Sequence, residues 1–213
     1  MRYLPKTSNY FVNVIINILI IACLIMFYFN DFLRLSGFAV SLFFIVLPDY
    51  WYSQSKKVKS FVDIKLINAI QLIIAFSCLG NLLGALNFYH NLETLWYDAF
   101  LHFIVPIFYF SITALFVISY QNFFFKKINK VFTIFGNFVL VILLSFSWEF
   151  FEKSIDDIFE GASMFGQNGE IYYDTLSDLI FDLSGGIVAS ILIYFFTFNY
   201  IIKNLNIYDN KRG

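Results

Sequence analysis

Six acidic residues and one histidine in the second half of the sequence have spacings that place them on shared helix faces. Within each of three groups the members are three or four positions apart, so they are about one helical turn from each other. In the last group, the first and third carboxylates would lie about 12 Å apart along a helix axis. The groups are Asp98 and His102; Glu149 and Glu152; and Asp174, Asp178 and Asp182.

These ionisable side chains fall in or beside strongly apolar stretches, where an unpaired charge costs at least about 2.5–3.5 kcal/mol. Carboxylates this close cannot all remain ionised unless something positive pairs with them, so they share protons or bind a cation. The only nearby basic residue is Lys153, which we expect to be exposed. The sequence therefore predicts a divalent metal ion with ligands drawn from Asp98, His102, Glu149, Asp178 and Asp182. Glu152 and Asp174 are the candidate general bases.

The identity of the metal stays open at the level of sequence. One imidazole with several carboxylate oxygens suits Zn²⁺, Mn²⁺ or Fe²⁺. It suits Mg²⁺ or Ca²⁺ if the histidine contacts the ligands and does not bind the ion itself. The spacing matches no established ligand motif, because the chain has no His-Glu-x-x-His segment and no pair of neighbouring cysteines.

Each of these residues also has a structural interpretation. Asp98 and Asp174 precede apolar runs and are typical of helix caps. Glu152 is compatible with a solvated loop, and His102 with a buried histidine of the core. Glu149, Asp178 and Asp182 would then form structural hydrogen bonds between helices. The co-occurrence of all seven on three helix ends favours a functional site.

The composition indicates the elements that must position this cluster. The chain of 213 residues is 60% hydrophobic and 14% charged, and its mean hydropathy is +0.73. Soluble domains are about 45–50% apolar and about 25% charged. We therefore predict an all-α bundle that forms one integral membrane domain over residues 1–213. The net charge of −1 and the lack of a basic stripe give no support for nucleic acid as a partner.

Six stretches are long and apolar enough to cross a bilayer, which takes about 20 residues each. The second is the shortest, and Pro48 and Asp49 predict its end. The predicted spans are Tyr10–Phe29, Leu35–Trp51, Ile64–Tyr89, Asp98–Tyr120, Val131–Phe151 and Thr175–Tyr200.

The basic residues predict the orientation of the bundle. Of the 14 Lys and Arg residues, all but Arg34 and Lys153 lie in the terminal segments, in the loops after the second and fourth spans or, for Lys65, at the adjoining edge of the third span. Cytoplasmic segments carry the excess of positive charge, so both termini are predicted to be cytoplasmic. The carboxylate cluster then lies on the extracytoplasmic side, next to a long acidic loop predicted over Glu152–Asp174.

The order of these motifs resembles the YjdF-type family of predicted bacterial and archaeal membrane proteins, and more distantly the VanZ-like family, which is linked to teicoplanin resistance. The resemblance covers the second half of the chain and implies that Asp98, His102, Glu149, Asp174 and Asp178 form the core of the site. The YjdF-type family has no established activity. The motifs are Tyr97-Asp98-x-x-x-His102-Phe103, Trp148-Glu149-x-x-Glu152, Gly166-Gln167-x-Gly169, Asp174-Thr175-x-x-Asp178 and Gly185-Gly186.

Three functions are compatible with such a protein in the cell membrane. The first is a metal-dependent enzyme acting on a lipid or lipid-linked envelope substrate. The second is a proton- or cation-coupled transporter, although few polar residues are expected in the cytoplasmic halves of the helices. The third is a non-catalytic accessory or resistance component. The lipid bilayer is a partner in every case, and the small size of the chain is compatible with a homo-oligomer.

Overall fold

Nearly every residue that the computed structural model describes, over 10–88, 96–159 and 171–204, lies in a helix, and no strand forms among these residues. Six helices are long and apolar enough to span a membrane, which confirms the predicted all-α architecture with six spans. The orientation of the termini stays a prediction. The helices are α1 (Tyr10–Tyr28), α2 (Phe32–Gln54), a short α3 (Lys56–Phe61), α4 (Ile64–Leu83), α5 (Trp96–Phe125), α6 (Lys130–Ile158), α7 (Ile171–Leu192) and α8 (Phe198–Asn204).

Two of these helices end in a wider π-helical turn. Residues Gly84–Phe88 continue α4, and residues Ile193–Thr197 join α7 to α8. The predicted end of the third span, Tyr89, lies outside the described residues, as do the glycines of the motif at 166–169.

The second span is longer than predicted, because α2 continues through Pro48 to Gln54. A proline within a membrane helix is tolerated where neighbouring groups satisfy the backbone that it disrupts. Here the Gln71 side chain of α4 donates a hydrogen bond to the backbone carbonyl of Ile45, at 3.1 Å, close to the proline. The prediction that Pro48 and Asp49 end this helix is therefore wrong.

The fifth span also extends beyond its predicted end at Phe151, because α6 continues to Ile158. No glycine or proline occurs in this extension, and the first glycine that follows is Gly161. The prediction of a loop beginning at Glu152 is therefore wrong for residues 152–158, and Glu152 belongs to a helix face. The remainder of that predicted loop, up to residue 170, lies outside the described residues.

The chain divides into two compact units, Met1–Leu82 with Asn199–Gly213, and Leu83–Phe198. In the first unit, α1 packs against α2. The thiol of Cys78 on α4 lies 3.8 Å from the carbonyl oxygen of Ser41 on α2. The prediction of a single membrane domain stays a prediction.

The second unit contains all seven candidate residues, and its three long helices pack against one another. The helices α5 and α7 approach each other closely at Gly185, where an added Cβ would overlap the backbone carbonyl oxygen of Phe103. Phe103 follows His102 directly, and Gly185 lies three residues after Asp182. This contact therefore brings the α5 and α7 members of the cluster together.

At the other end of α5 and α6, a polar network closes the turn between the helices. Gln121 donates to the Thr133 hydroxyl at 2.7 Å and accepts from the backbone N–H of Asn129 at 2.8 Å. The Asn129 side chain caps α6 by accepting from the N–H groups of Val131 and Phe132. Because the turn is fixed at this end, the opposite ends of the two helices remain side by side at the cluster.

Candidate functional site

The cluster lies where α5 and α7 begin and α6 ends. Asp98 and His102 occupy the first two turns of α5, the glutamates the last turns of α6, and the three remaining aspartates the first turns of α7. Helices that alternate in direction bring these ends to one side of the unit. Apart from Asp98, whose side chain is 15% exposed, all of the members are buried.

His102 lies at the centre of the cluster, and its two ring nitrogens face different carboxylates. Nε2 lies 3.9 Å from Asp98 Oδ1 and 4.0 Å from Asp178 Oδ2. These distances exceed the 2.7–3.2 Å range of a hydrogen bond. Two ligands at about 2.0–2.2 Å from one ion lie about 3–4 Å apart, depending on the angle between them. The separations among these three residues are compatible with ligands of one metal ion.

Asp182 faces the other ring nitrogen, because its Oδ1 lies 3.3 Å from His102 Nδ1. A carboxylate at Nδ1 fixes the ring orientation and keeps the proton there, which leaves the Nε2 lone pair for a metal. The sequence predicted Asp182 as a metal ligand. The structure places its carboxylate beside Nδ1 of the histidine, and its role as a ligand stays a prediction.

The two glutamates of α6 also lie close to His102. The ligand atoms of His102, Glu149 and Glu152 lie within 4.8 Å of one another, as do those of Asp98, His102 and Asp178. Both glutamates are buried on the same face of α6. The structure thus brings together two groups of three metal-ligating side chains that share one imidazole.

The remaining candidate, Asp174, belongs to neither group of three, although it is buried. It lies in the first turn of α7, as Asp98 does in α5. The structure therefore places both within the helix rather than at the capping position before it. Unpaired N–H groups and the helix dipole favour negative charge in this first turn.

Basic side chains contribute little to balancing this charge. Among the described residues of the second unit, the Lys and Arg residues are Lys126, Lys127, Lys130 and Lys153. The first three lie at the far end of α5 and α6, where the Lys130 ammonium stacks over the Tyr194 ring at 4.2 Å. Lys153 is exposed. His102 is therefore the one basic group within the cluster.

Three residues at the site were absent from the predicted set. The indole Nε1 of Trp148 donates to Glu152 Oε1 at 2.7 Å, a partner that the spacing of four positions could have indicated. The hydroxyl of Thr175 is buried near Glu149. Gly185 was predicted only as a packing residue, and nothing in the sequence indicates that the α5 backbone is its neighbour.

Six helices long and apolar enough to span a membrane define the protein as a multi-pass integral membrane protein whose environment is the lipid bilayer. Three of them carry the buried carboxylates. The chain belongs to the family of predicted membrane proteins DUF2238, which matches residues 11–199. Neither a curated protein nor a solved structure matches the chain.

Proposed function

We propose that this protein is a metal-dependent membrane enzyme that binds a divalent cation between Asp98, His102 and Asp178. The observation that carries the proposal is the spacing around His102, whose Nε2 lies 3.9 Å and 4.0 Å from two carboxylate oxygens. A protonated imidazole would be expected to approach one of them to hydrogen-bonding distance, whereas an ion between the three requires the wider spacing. Zn²⁺, Mn²⁺ and Fe²⁺ suit this donor set, and Mg²⁺ is the alternative.

A bound divalent ion would polarise a phosphoryl or acyl oxygen and lower the pKa of a coordinated water. The chain's own residues supply the rest of the proposed chemistry. Asp182 holds the His102 ring by its Nδ1, so that Nε2 faces the ion. Glu152 and Asp174 are the proposed proton acceptors for the attacking water. The indole of Trp148 orients the Glu152 carboxylate by its hydrogen bond of 2.7 Å.

The proposed substrate is a lipid or lipid-linked envelope compound on the extracytoplasmic side of the cell membrane. The distribution of Lys and Arg supports this side. The DUF2238 match over residues 11–199 is compatible with the YjdF-type resemblance. The more distant resemblance to VanZ-like proteins stays a prediction that the present comparisons do not support.

The first test is the metal content of the full-length protein, purified in detergent without chelator or added metal. The variants Asp98→Asn, His102→Ala and Asp178→Asn each remove one proposed ligand, and Asp157→Asn removes an exposed carboxylate of the same helix as Glu152. We expect at least one equivalent of a single metal in the wild type and in Asp157→Asn. All three ligand variants should lose it.

Size-exclusion profiles and circular dichroism distinguish loss of metal from loss of the fold. Folded wild-type protein without metal, and without affinity for added Mn²⁺ or Zn²⁺, would contradict the proposal. The cluster would then share protons and act as a structural centre, as expected for a non-catalytic accessory or resistance component. In that case Asp178→Asn should lower thermal stability or oligomer formation with no effect on a chemical activity.

A second candidate function, ion- or proton-coupled transport, is favoured by the buried face of α6. The residues of this face follow at intervals of three or four along the helix, and all but one are polar, whereas few polar residues were expected there. They are Thr133, Asn137, Val141, Ser145, Glu149 and Glu152. Asn137 is fully buried, and its Oδ1 has no hydrogen-bond partner among the described residues.

Val141 interrupts this polar stripe in the middle of the helix. Transport would require proton or cation flux in proteoliposomes that Glu149→Gln abolishes and Val141→Ser preserves. Flux equal to that of empty liposomes would exclude this second function.

A further inference from the structure

The glutamates of α6 remain beside the ion proposed above without being its principal ligands. The ligand atoms of Glu149, Glu152 and His102 lie within 4.8 Å of one another. However, one imidazole nitrogen binds one ion, and Nδ1 already faces Asp182 at 3.3 Å. An ion bound by Nε2 with Asp98 and Asp178 would therefore leave the negative charges of the two glutamates without a bound cation.

Glu149 carries a buried carboxylate oxygen without a hydrogen bond of good geometry. Its side chain is 6% exposed, and its Oε1 has no hydrogen-bond partner among the described residues, although the Thr175 hydroxyl lies near the carboxylate. An unsatisfied buried acceptor is destabilising, and more so if it is charged. Because this oxygen lies within the cluster, a cation beside it would satisfy it directly.

The carboxylate of Glu152 is oriented for binding a cation by a hydrogen bond. One of its oxygens accepts the indole N–H of Trp148 at 2.7 Å, which fixes the carboxylate through that oxygen. Carboxylates that bind metal ions are commonly held by such hydrogen bonds to their second oxygen. The pair of glutamates thus offers one unpartnered oxygen and one oriented carboxylate.

The overall charge also favours more than one divalent ion. Six carboxylates surround one imidazole, and the one Lys residue near this end of the unit, Lys153, is exposed. A single divalent cation offsets two negative charges and leaves four to be neutralised by protonation. A second ion next to the first would offset two more.

We infer that Glu149 and Glu152 hold a second divalent cation next to the ion at His102, so that the site is a two-ion centre. This inference rests on the proposed function. Paired ions in enzymes lie about 3.5–4 Å apart and bind oxygens of the same substrate group. With Glu152 serving as a ligand, Asp174 becomes the proton acceptor. Asp174 and Asp182 are the buried carboxylates of the cluster outside both ligand groups, and Asp182 already faces His102 Nδ1 at 3.3 Å.

The test is a Mn²⁺ titration of the full chain in detergent after metal has been removed with a chelator. Bound Mn²⁺ is counted by mass spectrometry, and its electron paramagnetic resonance spectrum reports whether two ions are coupled. We expect two equivalents with a coupled spectrum for the wild type and for Asp157→Asn. The double variant Glu149→Gln/Glu152→Gln should bind one equivalent with an uncoupled spectrum.

If the double variant does not fold, the single variants Glu149→Gln and Trp148→Phe replace it, each with an expected weakening of the second Mn²⁺ by at least about tenfold. One equivalent in the wild type, unchanged in these variants, would overturn the two-ion inference and leave the proposed function intact. Two equivalents that persist in them would also overturn it. No bound Mn²⁺ in folded wild-type protein would overturn both.

Discussion

The contact between Gly185 and the α5 backbone makes a sharp prediction for Gly185→Ala. A Cβ at this position would overlap the carbonyl oxygen of Phe103, which is backbone and cannot turn aside as a side chain can. The neighbouring Gly186 provides the matched control. A Cβ there would meet side-chain carbons of Phe138 and Val141 at 3.4 Å and 3.5 Å, which is ordinary van der Waals contact.

Two effects determine the difference in stability between these two variants. Replacing Gly by Ala within a helix stabilises it by roughly 0.5–1 kcal/mol when space is available, so Gly186→Ala should be neutral or slightly stabilising. Overpacking costs about 1–3 kcal/mol, and in Gly185→Ala this cost outweighs the helical gain. For a chain of this size 1 kcal/mol corresponds to roughly 2–4 °C in Tm. Because the helical gain is common to both variants, we expect Gly185→Ala to melt about 2–12 °C below Gly186→Ala.

The assay is thermal unfolding of both variants in the same detergent, followed by tryptophan fluorescence, together with Mn²⁺ binding. Since Gly185 lies one turn from Asp182 and its contact adjoins His102, separation of α5 and α7 should also weaken Mn²⁺ binding by about tenfold or more. Equal Tm values and equal Mn²⁺ affinities in the two variants would refute the idea that this glycine sets the geometry of the site.

Three further predictions concern single side chains of the second unit. Asp182→Ala should weaken Mn²⁺ binding by about 10–100-fold. Asp182→Asn should weaken it less, because an amide oxygen still accepts a hydrogen bond from His102 Nδ1. Equal losses of Mn²⁺ affinity in the two variants, measured by titration, would contradict this prediction. Trp148→Phe keeps the ring but removes the donor to Glu152, so the Mn²⁺ affinity should fall while the circular dichroism stays unchanged. Asn137→Ala removes a 2.8 Å hydrogen bond to the α5 backbone and should lower stability by about 1–2 kcal/mol in denaturant titrations without affecting Mn²⁺.

The sequence predicts the number and approximate position of the spanning helices, because bilayer thickness imposes a long apolar run on each of them. It predicts their ends less well. Proline usually ends a helix in soluble proteins, but α2 passes through Pro48 because a side chain from α4 satisfies the nearby backbone. The extension of α6 beyond Phe151 is polar, so hydropathy alone places its end too early.

The sequence predicts which residues form the site, because consecutive helices alternate in direction and bring three helix ends to one side. It does not predict which of these residues are neighbours. The spacing along each helix cannot determine which carboxylate of α7 lies beside which nitrogen of His102. That pairing depends on the close approach at Gly185 and on the rotation of each helix about its axis. The sequence therefore treats Asp178 and Asp182 alike, whereas the structure places them at opposite nitrogens of the same ring.

The burial of three aspartates on α7 also bears on how the protein enters the membrane. Each charged residue opposes insertion of an isolated helix by up to about 3 kcal/mol, depending on its depth. Asp178 and Asp182 lie within the apolar part of α7, so this helix should insert poorly by itself. His102 and the faces of α5 and α6 precede it in the chain and are synthesised first. We expect α7 to leave the translocon together with these helices, so that the residues that form the site also guide its assembly.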